Sequence, residues 1–212
     1  MSHKETIWNY FVGKIGNEYG VAGLMGNLYA ESALNPKNLQ NSYENSLGYT
    51  DESYTAAVDS GAYTKSQFVN DQAGYGLAQW TYSSRKQAMY EMWKSGGYDS
   101  IGSIELACDY LWHELQNSYS GVLSVLKNAT TVRQASDKVL HDFENPADQS
   151  ESVEVYRCSL GETYYNELSG THVPDTPDTP DTPSFNRKKR KGFNFVLFNR
   201  QRRINQWTSK GF

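Results

Sequence analysis

A single glutamate stands near the end of a helix-forming run, in the stretch GNLYAES at residues 26–32. Glu31 has Leu28 on the same helical face and Ser32 beside it. A carboxyl group buried against such a semi-apolar wall keeps its proton near neutral pH and can act as a general acid. An ordinary solvated charge at a helix end is the alternative. The stretch taken alone does not decide between the two.

Amphipathic segments must position this glutamate, and they predict a mainly α domain. Apolar residues recur at helical spacing in residues 4–19. A second helix over 21–32 contains Gly23 and Gly26, which weaken it but permit close packing against a neighbour. Residues 35–73 are polar and irregular, so we predict a long loop or a small β region there. Further helices begin near residues 84, 103, 131 and 153, which makes about six.

The charges divide the chain into an acidic body and a basic tail. Residues 1–183 contain 11 Lys and Arg against 24 acids, whereas residues 184–212 contain 9 basic residues and no acid. The repeat PDTPDTPDTP at 174–183 predicts an extended spacer of about 30 Å, at roughly 3.1 Å per residue. We therefore predict a domain over 1–170, a disordered linker over 171–184 and a disordered basic aromatic tail over 185–212.

Several classes of protein are poorly supported by the sequence. The N-terminal stretch contains Glu5 and no continuous apolar segment, so no signal peptide is predicted, and no run has the length of a membrane span. Cys108 and Cys158 are interpreted as buried free thiols, with one disulfide as the alternative. His113 and His141 are expected to be surface or hydrogen-bonded side chains. Without zinc spacing or a nucleophile–histidine pattern, no metal, cofactor, amidase or peptidase is predicted.

A second motif, GYGLAQWT at residues 74–81, follows the glutamate by roughly 45 residues. With it, the chain resembles the lysozyme-like muramidases of bacteriophage tails and endolysins, which are related to goose-type lysozymes and soluble lytic transglycosylases. The resemblance covers about residues 4–168 and implies an α+β lysozyme-like fold with two lobes and a cleft. The matching stretches are GLMGNLYAESALNP (23–36), NDQAGYGLAQWTYSSR (70–85) and ENPAD (144–148).

The resemblance implies cleavage of peptidoglycan glycan strands, at the β-1,4 bond between N-acetylmuramic acid and N-acetylglucosamine. Glu31 falls on the family's catalytic glutamate, the general acid. The alternatives are a lytic transglycosylase that releases anhydro-muramic products, and a non-catalytic wall- or virion-binding module. Such a protein would be made in the bacterial cytoplasm and reach the wall after holin release or within a virion tail.

The second carboxylate of such a site is less well marked. Asp71 lies three residues before GYG and is the first candidate, although a turn-capping role is its ordinary alternative. Asp51, Glu52 and Asp59 compete, because their segment takes the place of the lysozyme β region. The related transglycosylases need no second carboxylate, since the C6 hydroxyl of the substrate attacks the anomeric carbon.

Five residues are candidates for substrate binding. Gln79 offers a donor and an acceptor for an N-acetyl group or a hydroxyl, and the resemblance implies that it faces the cleft. Ser32 adjoins the glutamate. Trp80 stacks on a sugar or belongs to the core. Tyr75, between two glycines, suggests an exposed ring at a turn. Glu144 is either a cleft residue or a helix-end charge.

The tail has three interpretations. It is a solvated appendage, an anchor for anionic wall polymer or a membrane surface, or a nucleic-acid-binding segment. The apolar stretch FNFVLF between basic clusters favours the second over a simple charge run. No nucleic-acid-binding fold or motif supports the third.

Overall fold

The structure, a computed structural model, describes residues 1–171. The predicted disordered linker and tail therefore lie outside this part of the chain, apart from Thr171. Residues 1–171 form ten α-helices and one π-helix. They are α1 (His3–Ile15), α2 (Glu18–Ser32), α3 (Asn41–Leu47), α4 (Asp51–Ser60), α5 (Lys65–Asn70), α6 (Ser83–Gly96), α7 (Ile104–Asn117), α8 (Ser120–Asn128), α9 (Val132–Val139), the π-helix (Leu140–Glu144) and α10 (Glu151–Leu168).

Helix α2 lies at the centre and packs against α10, α9, α1 and α8. Its small residues allow this, because a Cβ at Gly26 would stand 2.3 Å from the backbone oxygen of Arg157. A Cβ at Gly23 would stand 2.6 Å from the Cβ of Ala135. Glycine is thus required where α10 and α9 approach, which confirms the predicted close packing. The approach of α10 brings Arg157 beside the last turns of α2.

The mainly α prediction is confirmed, but residues 35–73 form three short helices where we expected a loop or β region. Thr50 and Thr64 each close a capping box at a helix start, which stabilises helices too short for a long periodic pattern. Tyr54 and Phe68 anchor these helices in the core. Helices α4 and α5 therefore form where we expected irregular structure, because each has a capping box and a buried aromatic side chain.

The expected count of about six helices was too low. The additional ones are α3, α4, α5 and α8, each of ten residues or fewer. Within residues 1–171 no strand is formed, and the extended contact is an isolated antiparallel bridge between Leu39 and Tyr75. This bridge joins the segment after α2 to the GYG motif, and it is the extended structure that the described chain has in place of the expected β region.

Both cysteines are free and buried, as predicted, at Cys108 on α7 and Cys158 on α10. Burial raises the pKa of the Cys158 thiol to about 11, which makes it a weak nucleophile near neutral pH. Among the described helices, none is long and apolar enough to cross a membrane.

Candidate active site

A cleft of about 780 Å³ opens at the end of α2. Its wall is formed by the last residues of α2, parts of the segments 38–42 and 78–82, and the end of the π-helix with the residues that follow it. Glu31, Ser32, Gln79 and Glu144 all line it. Four of the residues singled out from the sequence, from three separate parts of the chain, are therefore brought together.

Glu31 is fixed by an ion pair in the last turn of α2. Its Oε1 accepts a hydrogen bond from Nη2 of Arg157 at 2.7 Å, and its side chain is 20% exposed. The other terminal nitrogen of Arg157, Nη1, donates to Oδ1 of Asn27 at 3.2 Å. The guanidinium therefore joins two residues one helical turn apart on α2.

Asn27 completes this arrangement from within the core. Its Nδ2 donates to the backbone oxygens of Gly23 at 3.0 Å and Ser136 at 3.1 Å. The side chain is fully buried, and its amide thereby links α2, α9 and α10. Asn27, from the same GNLYAES stretch as Glu31, thus positions Arg157, which in turn positions Glu31.

Ser32 positions the GYGLAQWT segment against α2. Its hydroxyl donates to Leu77 O at 2.9 Å and lies 3.1 Å from Leu28 O. The chain then turns through Ala33 (φ 51°) and Leu34 (φ 60°), both in the left-handed region, which ends the helix beside the cleft. Ser32 is almost completely buried, and its hydroxyl contacts backbone oxygens of α2 and of the GYGLAQWT segment. The role that these contacts give it is to hold the two segments together.

Gln79 lines the cleft in a strained backbone conformation, with φ of 44°. Its Nε2 donates to Oδ1 of Asn38 at 2.8 Å, and Asn38 also lines the cleft. A non-glycine residue held in this region next to a cleft is a recognised mark of functional sites. The predicted position of Gln79 facing the cleft agrees with this geometry.

The two aromatic candidates of this motif belong to the core. Trp80 is fully buried, and its Nε1 donates to Oε2 of Glu114 at 2.8 Å. The Tyr75 ring is also fully buried, with its hydroxyl 2.7 Å from Oγ1 of Thr55. The expectation of an exposed Tyr75 ring was wrong, because the glycines beside it let the chain turn inward. Of the two interpretations of Trp80, the core one describes its position.

Asp71 lies away from the cleft wall. Its Oδ1 is 2.5 Å from Nζ of Lys86, and its Oδ2 accepts from the hydroxyls of Tyr54 at 2.5 Å and Tyr63 at 3.2 Å. Both charged side chains are almost completely buried. Burial lowers the pKa of Lys86, whereas the Asp71 carboxylate acts in the opposite direction. These contacts join α4, α5 and α6 and are those of a structural ion pair.

The competing carboxylates also lie outside the cleft lining. Asp51 accepts from the backbone N–H of Leu39 at 2.7 Å, and Asp59 accepts from that of Ile101 at 2.8 Å. Glu52 is exposed on α4. Residues 35–73 contained the candidates for a second carboxylate, and Asp51 and Asp59 of this segment instead accept hydrogen bonds from the backbone.

Glu144 is the second glutamate that lines the cleft. Its Oε1 atom is buried and has no hydrogen-bond partner within residues 1–171. Burial raises the pKa of this carboxyl well above its ordinary value, and the Glu31 carboxylate raises it further. Of the two interpretations made from the sequence, a cleft residue or a helix-end charge, the first agrees with the position of Glu144.

Several residues of the site were not predicted from the sequence. Arg157 and Asn27, which hold Glu31, were not singled out, nor was Arg85, which lines the cleft and pairs with Glu114. Tyr82 also lines the cleft, with 73% of its surface exposed. Its place directly after the GYGLAQWT motif was the available signal for it.

Within residues 1–171, no group of three or more His, Cys, Asp or Glu side chains is arranged to hold a metal ion. His141 contacts Gln149 and Glu154 through its two ring nitrogens, each at 2.8 Å, and these partners raise its pKa. His141 is therefore a hydrogen-bonded residue, as expected.

The comparison with protein families gives a match over nearly all of the described chain. The family model described as phage tail lysozyme covers residues 2–168, and the chain belongs to this family. Neither the curated proteins nor the solved structures gave a significant match. Membership indicates a lysozyme-like enzyme that degrades peptidoglycan and acts on the bacterial cell wall.

Proposed function

We propose that the protein hydrolyses the β-1,4 bond between N-acetylmuramic acid and N-acetylglucosamine, with Glu31 as the general acid. The observation that supports this most directly is the fixed position of Glu31 on the cleft wall. Arg157 occupies one carboxylate oxygen, and the other, Oε2, has no hydrogen bond within residues 1–171. A positioned carboxyl group with a free oxygen suits proton transfer to a leaving group.

The chemistry follows from these positions. The Glu31 proton goes to the glycosidic oxygen as the C1–O bond breaks, and the bonding electrons leave with that oxygen as a sugar hydroxyl. The positive charge that develops on the sugar ring is stabilised by a nearby carboxylate. Water then adds to C1 and gives its proton back to the carboxyl groups of the site, which restores the acid. This division of roles is the one that lysozymes use as a class, and it is transferred to this chain on that basis. Gln79 and Tyr82 are proposed to contact the sugars.

Asp71 could serve as the second carboxylate only if its ion pair were broken. A carboxylate committed to Lys86 and two tyrosine hydroxyls has little capacity left for substrate. We therefore assign Asp71 a structural role, in which its contacts hold α4, α5 and α6 together.

Product analysis tests the proposed reaction. Purified Gram-positive peptidoglycan is digested with the protein, and the soluble fragments are examined by mass spectrometry. Hydrolysis gives fragments that end in a reducing N-acetylmuramic acid. Anhydro-muramic ends would establish the transglycosylase instead, and release of no fragments would favour a non-catalytic binding module.

The basic tail over residues 185–212 is proposed to bind anionic wall polymer or a membrane surface. The support is the sequence alone, namely its 9 Lys and Arg without an acid. Removal of residues 184–212 is expected to weaken binding to walls most clearly at low salt, where charges are least screened. If the full chain and the shortened chain bound walls equally well at low salt, the tail would not have this role. Release through a holin and delivery with a virion tail are both compatible with the proposed enzyme.

A further inference from the structure

Glu144 is delivered to the cleft by an irregular piece of helix. The π-helix ends at Glu144, and Asn145 follows in the left-handed region with φ of 47°. The backbone N–H of Asn145 donates to Leu140 O at 2.8 Å, which closes the wide turn. Single π-turns within helical segments occur often at functional sites. This one sets Glu144 on the wall that Glu31 also lines.

The surroundings of Glu144 contain two arginines, but both are engaged elsewhere. Arg157 pairs with Glu31 at 2.7 Å, and Arg85 donates to both oxygens of Glu114 at 2.6 and 2.7 Å. Each guanidinium is therefore already matched by another carboxylate. Within residues 1–171, Glu144 has no ion-pair partner of its own and no hydrogen bond to its buried Oε1.

A buried carboxyl without a partner is strongly destabilising when charged and much less so when protonated. Burial is accordingly the main cause that raises the pKa of Glu144, and the Glu31 carboxylate is the second. Arg85 and Arg157 lower it, and Glu114 raises it, by smaller amounts. The charged groups around Glu144 therefore lie on α2, α6, α7 and α10. Together with burial, they favour the protonated form of Glu144.

We propose that Glu31 and Glu144 form a carboxyl pair that holds one proton before substrate binds, with the proton on Glu144 and the charge on Glu31. The inference rests on the proposed function and supplies the second carboxyl group that Asp71 does not provide. It also explains how an acid can operate next to Arg157, since the pair retains a proton while Glu31 forms its ion pair.

The proton balance of the reaction closes within this pair. Glu144 passes its proton to Glu31, and Glu31 passes it to the glycosidic oxygen as the C1–O bond breaks. Both carboxyl groups are then charged and face the positive sugar ring. Water adds to C1 and gives its proton to Glu144, which restores the starting state. No other reactant is required.

The first test is a carboxyl titration by NMR with ¹³C-labelled glutamate, on the full chain and on its Glu31→Gln variant. The wild type is expected to show Glu144 titrating well above the ordinary glutamate range, assigned by the loss of that signal in Glu144→Gln. In Glu31→Gln the Glu144 titration should move to lower pH, because the neighbouring negative charge is gone. A Glu144 titration in the ordinary range, or one unmoved in Glu31→Gln, would overturn the proposal.

The second test is the pH profile of wall digestion by Glu144→Gln. The pair predicts a rate about 10²-fold lower and an alkaline limb displaced to lower pH, because the group that retained the proton is removed. Asp142→Asn, in the same π-helix but exposed and paired with Lys138, is the matched control and should keep the wild-type rate and limb. A rate loss with an unmoved alkaline limb would contradict the pair. Persistent activity in Glu31→Gln would instead refute the proposed function, so the two failures are distinguishable.

Discussion

Glu31 and Arg157 are separated by 126 positions in the chain, yet their Oε1 and Nη2 atoms lie 2.7 Å apart. The contact depends on α10 returning to the centre of the molecule, where it packs on α2. Since Arg157 also bonds to Asn27, it sets the position of the Glu31 carboxylate as well as balancing its charge. A glutamate in the last turn of a helix has thereby become a fixed group on a cleft wall.

Arg157→Lys tests this positioning. Lysine keeps the positive charge but cannot contact Asn27 and Glu31 through two terminal nitrogens, so we expect at least about a tenfold loss of the wall-digestion rate. The matched control is Arg133→Lys, in a surface ion-pair network with Asp137 and Glu154, which should retain the rate. Wild-type activity in Arg157→Lys would show that charge alone suffices.

Gly26→Ala tests the close approach of α2 and α10. The added Cβ would stand 2.3 Å from Arg157 O, so we expect the unfolding free energy to fall by about 1–3 kcal/mol or more. Gly13→Ala in α1 meets no atom within 4 Å and is expected to stabilise by about 0.5–1 kcal/mol. Denaturant unfolding of both variants measures the difference. Equal effects of the two substitutions would refute the packing argument.

Asp71→Asn separates a structural role from a catalytic one. Removing one partner of the buried pair leaves Lys86 uncompensated, at an expected cost of about 3–5 kcal/mol in unfolding free energy. The double variant Asp71→Asn, Lys86→Met should recover part of that loss, because no buried charge remains. Thermal unfolding together with the digestion rate of the folded fraction checks this. A stable variant that had lost activity would restore Asp71 as the catalytic partner.

Tyr82→Ala and Trp80→Phe are expected to affect different quantities. Tyr82 is exposed on the cleft wall, so its loss should raise KM for glycan fragments with little change in melting temperature. Trp80→Phe removes the donor to Glu114 within the core and should lower the melting temperature. The reverse pattern would place the sugar-binding aromatic at Trp80.

Glu144 also predicts how stability depends on pH. Because its pKa is raised in the folded protein, the folded state binds this proton more tightly than the unfolded state. The stability due to Glu144 is therefore present at low pH and is lost as pH rises from the ordinary glutamate range through the raised value. Relative to the wild type, Glu144→Gln should become progressively more stable over that range. A constant difference in melting temperature across it would contradict the shift.

The sequence allowed the mainly α fold, the cleft glutamate and the tight glycine packing of α2 to be predicted. Those features depend on local helical periodicity and on a motif of consecutive residues. The helices α3, α4 and α5 were missed because each is short and gives no long apolar repeat. Capping boxes and single buried aromatics stabilise α4 and α5, whereas α3 has no side-chain cap and no buried residue.

The partners in the site could not be assigned from sequence spacing. Asp71 precedes the motif by a few residues, but Lys86, one turn into α6, draws it into the core. Arg157 shares a helical face with Gly161 and Tyr164, so its burial was foreseeable, whereas its contact with Glu31 depends on how α10 crosses α2. Glu144 required a π-turn, for which the sequence has no established signal.

The central claim is tested most directly by the rate at which Glu31→Gln releases soluble fragments from purified Gram-positive peptidoglycan. Glutamine keeps the size of the side chain but has no acidic proton, so we predict a loss of about 10²–10⁴-fold in the rate of the folded protein. Glu105→Gln, an exposed glutamate at the start of α7, should match the wild type in the same assay. Release by Glu31→Gln at the wild-type rate would contradict the role of Glu31 as the acid.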